Sequence, residues 1–241
     1  MNVILTRGRV IGAVVGLGAL LAGPLHAADP ITAAMQQAYA PYRMALFRTN
    51  QSDVVAARAA VAEARAAWQR VLREHAQPAV PYAGDPEYGR TLQQVAQVLD
   101  DAAARVEAGR LPQAHERLEA VRDLLAALRL RNQVTVFSDP MNAYHEAMEA
   151  LLEQGPKLVE QPQGRLALAE HAGVLHHLAQ RLQALAPPAL RADPEFGPLL
   201  QGVQASVQAL REALRQGDAD AVRKALGGLK GPYARLFVKF G

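Results

Sequence analysis

The sequence predicts an all-α protein built as two tandem up-down-up-down four-helix bundles. Composition gives the class. Half of the 241 residues are apolar and only 5% aromatic, and Val, Ile and Thr come together in a strand-like run only at Val134 to Phe137. A self-match gives the number of units. Asp85-Pro86-Glu87-Tyr88-Gly89 returns 108 positions later as Asp193-Pro194-Glu195-Phe196-Gly197. The same offset carries Leu92 onto Leu200, Val95 onto Val203, Gly109 onto Gly217, Leu118 onto Leu226 and Leu128 onto Leu236. A gapless match of this length points to one module of roughly 100 residues present twice.

The elements follow in order. Residues 1–27 read as a cleavable secretory signal: Arg7 and Arg9 precede an apolar run from Val10 to Leu21, and Leu25-His26-Ala27 offers the cleavage site. Residues 28–134 then form the first bundle and 135–241 the second. Turn signals predict helices over 31–48, 53–76, 86–108 and 111–132, then over 139–154, 165–186, 194–216 and 218–239. Asp53, Asp85, Asp139, Asp193 and Asp218 stand at helix starts, three of them before proline. There an aspartate accepts from free first-turn amides, and proline loses no bond. Gly109 and Gly217 end the third helix of each unit in the left-handed conformation. Short links make neighbouring helices antiparallel. The inward stripes are Leu92, Val95, Leu99, Ala102 and Val106 in one unit and Leu200, Val203, Val207, Leu210 and Leu214 in the other.

Charge and cysteine content narrow the function classes. The formal charge is +3, and loss of Arg7 and Arg9 brings it to +1 with signs alternating along the helices. No basic block is dense enough to follow a phosphate backbone, so nucleic acid is not an expected partner. The most basic stretch, Arg122 to Asn132, reads as a solvated face near the junction, with an anion or partner contact as the alternative. The chain has no cysteine, which excludes disulfides, thiolate metal sites and covalent haem. A soluble periplasmic protein without a membrane anchor is expected.

The second unit resembles the four-helix bundles of the cytochrome c′ family and its b-type relatives. The resemblance rests on Pro187-Pro188 between helices two and three, on the Gly217-Asp218 break, and on the closing Leu229-Lys230 to Lys239-Phe240 segment. It implies a four-helix bundle. It also implies a haem motif near the end of the fourth helix, but matching the terminal Lys-Phe places Tyr233, Leu236 and Phe237 there, and Leu125, Leu128 and Arg129 in the first unit. Neither anchors nor axial histidine are present at those places, so the expectation is a bundle without haem.

Candidate chemistry gathers in the second unit. Met141, Tyr144, His145, Met148, Leu151 and Leu152 share one face of its first helix. On its second helix His171 shares a face with Val174, Leu175, Leu178, Leu182 and Leu185. Antiparallel pairing puts Met148 and His171 at similar height, so His145, Met148 and His171, with Met141 outside them, form a candidate site. Thioether and imidazole donors suit a soft ion such as copper. The plainer reading makes all four core residues. His176 and His177 read as solvated, and His75 and His115 have no assigned role. No phosphate loop, zinc motif or nucleophile elbow is present, so no enzymatic activity is expected. Three readings stand: a metal-binding accessory protein, a haem-binding electron carrier, and a non-catalytic scaffold for a periplasmic protein partner.

Overall fold

The computed structural model describes residues 29–241, and the signal-peptide reading of residues 1–27 lies outside them. Among the described residues all regular structure is helical. In the first half, α1 (Pro30–Thr49), α2 (Val54–Glu74), α3 (Tyr88–Glu107) and α4 (Leu111–Arg131) pack as a bundle. In the second half, α5 (Ser138–Val159), α6 (Gly164–Leu185) and α8 (Phe196–Gln216) are completed by α9 (Ala219–Gly227) and α10 (Lys230–Phe240). The short α7 (Pro188–Ala192) fills the link before α8, where the sequence predicts an open loop. No helix among the described residues is long and apolar enough to cross a membrane.

Local chemistry explains most boundaries. Asp53 accepts from the Ala56 amide at 3.0 Å, and Asp218 accepts from Asp220 and Ala221 at 2.9 and 3.1 Å. Asp85 and Asp193 each accept from the amide two residues on, Glu87 and Glu195, at 2.9 and 2.8 Å. These bonds close a turn, so α3 and α8 begin a little later than predicted. Gly109 and Gly217 have φ of 71° and 74°, the left-handed geometry expected where a helix stops. Three of the four pairs of corresponding helices also start at the same offset, Pro30 and Ser138, Tyr88 and Phe196, Leu111 and Ala219, while Val54 and Gly164 depart from it by two residues.

Three expectations need correction. Asp139 does not precede its helix. It lies in the first turn of α5, accepting from the Val136 amide at 3.0 Å and from Arg129 at 2.9 Å. Next, α5 continues through Gly155 and Pro156 to Val159. Gly155 is a packing position there, since a Cβ would come within 3.0 Å of Leu226. Finally, the predicted helix over 218–239 is two helices. Pro232 has no amide to bond the Gly228 carbonyl and its ring crowds that carbonyl, so the chain breaks between Gly227 and Lys230.

The link from Asn132 to Phe137 holds no strand. Gln133 turns the chain with a φ of 55°, and the Val134 amide bonds the Arg129 carbonyl at 2.9 Å. Both inward stripes are buried throughout, and the two bundle interiors join into one apolar core. Buried polar tips reach backbone carbonyls: Trp68 Nε1 donates to Leu92, Tyr42 to Leu118 and Tyr233 to Met141. The Arg122 to Asn132 stretch is not a solvated face. Arg122 and Arg129 are buried at the junction, Arg129 bonded to Asp139 and Arg122 to Glu119. The bundles meet mainly through α1 against α10. There the Arg43 guanidinium donates to the carbonyls of Val238, Lys239 and Gly241.

Candidate functional site

Between the bundles lies a cleft of about 60 Å³. α1 contributes Leu46, Phe47 and Asn50; α4 contributes His115, Glu119 and Arg122; α5 contributes His145, Met148 and Glu149; α10 contributes Lys230, Tyr233 and Phe237. His115, Glu119 and Arg122 stand at i, i+4 and i+7, one face of α4. His145 and Met148 stand three apart on α5. Docking the bundles brings these two short faces together.

Glu119 is the hub. Its carboxylate lies 3.3 Å from His115 Nε2 and 3.8 Å from His145 Nε2, and it pairs with Arg122. His115 Nδ1 faces the Leu46 carbonyl at 3.0 Å and the Thr49 hydroxyl at 3.3 Å. Both ring nitrogens face acceptors, Nδ1 the Leu46 carbonyl and Nε2 the Glu119 carboxylate, and the neutral ring donates to one of them. His145 stacks on the Tyr233 ring at 5.4 Å, and its buried Nδ1 has no partner. The Lys230 ammonium sits 3.0 Å from Glu149 at the rim, and Arg122 lies over the Phe237 ring at 5.8 Å.

Electrostatics keeps both imidazoles neutral. Burial, then the nearby Arg122 and Lys230 charges, lowers the His145 pKa to about 3. Burial, with Lys230 and Arg122 also nearby, lowers that of His115 against the opposing pull of the Leu46 carbonyl. Desolvation disfavours a charged ring, and neighbouring cations disfavour it further. A neutral imidazole with an unshared lone pair is the form that binds a metal or accepts a proton.

The structure divides the predicted site. His145 and Met148 both reach the cleft, Met148 fully buried in its wall. Met141 is fully buried two turns away, its carbonyl accepting from Tyr233. His171 is half-buried on α6 and lines no part of the cleft. The reason is rotation of the α6 stripe. Its buried residues are Leu168, Ala172, Leu175, Ala179 and Leu182, while Val174 and Leu185 are exposed by 52% and 48%. His171 therefore falls on the stripe's edge. His115, left without a role by the sequence reading, takes the place expected of His171. The only signal for it was the His115/Glu119/Arg122 spacing, which marks a face but not what that face meets.

The positions matched to the haem motif are buried core. Tyr233 stacks between Tyr144 and Phe237, and Leu125, Leu128 and Leu236 pack inside their bundles. Among the described residues no three His, Asp or Glu side chains are grouped to hold a metal ion. Compared with protein families, curated proteins and solved structures, the chain matches none.

Proposed function

We propose that this is an exported, non-enzymatic accessory protein that holds one soft metal ion, Cu(I), in the cleft between its bundles. The ligands are His115 Nε2, His145 and Met148. One observation carries the reading: two neutral imidazoles from different bundles open onto the same cleft as a buried thioether. Two nitrogens and a thioether suit a soft monovalent ion better than a hard one. The Leu46 carbonyl orients the His115 ring from behind, as an outer partner of a ligating imidazole does. Glu119 supplies a negative charge beside the ion.

Cu(I) competition against a chromophoric chelator tests this. The protein should bind one equivalent. His115→Ala, His145→Ala and Met148→Leu should each weaken binding by about tenfold or more, and His171→Ala should leave it unchanged. Equal affinity across all four variants would reject the site. A stoichiometric Soret band on adding haemin, abolished by His145→Ala, would move the same cleft to a haem carrier.

A further inference from the structure

Each bundle carries a surface groove between its second helix and its next long helix, and the two grooves occupy equivalent positions at the offset of 108. The α2–α3 groove, about 310 Å³, is spanned by two ion pairs. Arg58 meets Glu107 at 2.7 Å and Arg65 meets Asp100 at 2.6 Å. The α6–α8 groove is larger, about 520 Å³. Every residue of those two bridges has been exchanged. Arg58 becomes Leu166, Glu107 becomes Arg215, Arg65 becomes Gly173 and Asp100 becomes Gln208.

The exchanges act together. Leu166 is exposed by 69%, and at Gly173 an added Cβ would meet nothing within 4 Å. Leu214 forms the apolar floor, and Arg165, Arg211 and Arg215 surround it. Among the described residues Arg165 and Arg211 form no ion pair; Arg211 donates only to Gln208, at 3.4 Å. Arg215 is held by Glu212 on its own helix, with both side chains about half exposed, a contact worth little and readily exchanged. Where the first groove has Glu107 the second has Arg215, and Arg165 and Arg211 beside it add positive charge that no ion pair takes up among the described residues.

We propose that the α6–α8 groove docks a protein partner presenting an acidic amphipathic helix. Its carboxylates meet Arg165, Arg211 and Arg215, and its apolar side packs on Leu166 and the bare backbone at Gly173. The apolar floor selects a helix over a polyphosphate, which has nothing to place on Leu166. Residues 1–28 contain Arg7 and Arg9 and no acidic residue, so charge argues against that segment as the occupant. This surface is separate from the cleft, and the proposal stands without the metal.

The test is selection from a displayed library of random peptides, each about 20 residues or some 30 Å of helix. The immobilised full protein is the bait. The counter-bait carries Leu166→Arg, Arg215→Glu, Gly173→Arg and Gln208→Asp, which transplants both bridges of the first groove. Enriched peptides should carry Asp or Glu at i, i+4 spacing beside an apolar position. They should bind the counter-bait about tenfold more weakly, as loss of two or three exposed charge pairs gives. The double variant Arg165→Glu/Arg211→Glu should show the same loss while its thermal unfolding stays unchanged. Neutral or basic peptides, equal binding to the counter-bait, or no enrichment over it would overturn the proposal. Self-association of the wild type that the counter-bait lacks would assign the groove to a second copy and overturn it as well.

Discussion

In the first bundle four long polar side chains of α2 and α4 reach across to α3 or the turn before it: Arg58 and Arg65 from α2, Arg117 from α4 to Asp101, Arg131 from α4 to Asp85. On α8 and α9 of the second bundle the arginines pair along their own helix, Arg215 with Glu212 and Arg223 with Asp220. Exposed pairs of either kind contribute only a few tenths to about 1 kcal/mol, so stability does not separate the two patterns. Availability does. Cross-helix pairs close the surface between two helices, whereas pairs along one helix leave it open to an incoming group. Two helical bundles can therefore differ in what they offer to solution while differing little in what holds them up.

The strongest way to break the comparison is at the junction, where Arg129 of the first bundle corresponds to Phe237 of the second. Asp139→Ala leaves the Arg129 guanidinium, 3% exposed, buried without its partner. Urea unfolding should show a loss of about 3–5 kcal/mol. Phe237→Leu should cost less than about 1.5 kcal/mol if the site repacks. Equal costs would mean that the junction pair is no more than another interior contact.

Acid sharpens the comparison next. His145 has Gln37 as its counterpart in the first bundle, so the titrating member is in the second. Its pKa is about 3 in the folded protein against about 6.5 for an unfolded chain. Between those values the unfolded state binds the extra proton, so stability falls as pH drops below about 6.5, by at most about 1.4 kcal/mol per pH unit. His115, lowered in the same direction, adds to the slope. In the metal-free protein His145→Gln should flatten the dependence between pH 6 and pH 4. An unchanged slope would place the acid sensitivity elsewhere.

The smallest effect is at the first groove. Arg65→Ala should lower stability by less than about 1 kcal/mol in the same unfolding assay, and Arg58→Leu should leave it close to the wild type. A larger loss would show that the bridges hold the first bundle together, and availability would no longer account for their absence from the second.

The helical class, the stripes and the two left-handed glycines were legible because each depends on local spacing and local chemistry. The break before Pro232 was also open to local reading, since Gly227, Gly228 and Gly231 surround the lost bond, yet the apolar period runs through it and hides it. The cleft could not be read. Half of the predicted ligands, His145 and Met148, face it because they lie on a buried face of α5. His115 belongs to the other bundle, 30 residues of sequence separate it from His145, and no spacing rule links the two. The burial of Arg122 and Arg129 was hidden for the same reason. A basic face looks solvated until the partner that covers it is known, and here that partner is the second bundle.

The break between Gly227 and Lys230 also bears on the order of folding. An unbroken fourth helix would lie within its own bundle, as α4 does. Once divided, α9 stays with α5 and α8, while α10 packs on α8, α5 and α1 of the first bundle, and its last carbonyls are held by Arg43. The second bundle is therefore completed against a surface that the first provides, whereas the first takes from the second the Asp139 carboxylate that pairs with Arg129 and no whole helix. Synthesis proceeds from the N-terminus, and domains generally fold in that order. The half that serves as template is made before the half that needs it, so the asymmetry of the two bundles runs in the direction in which the chain emerges.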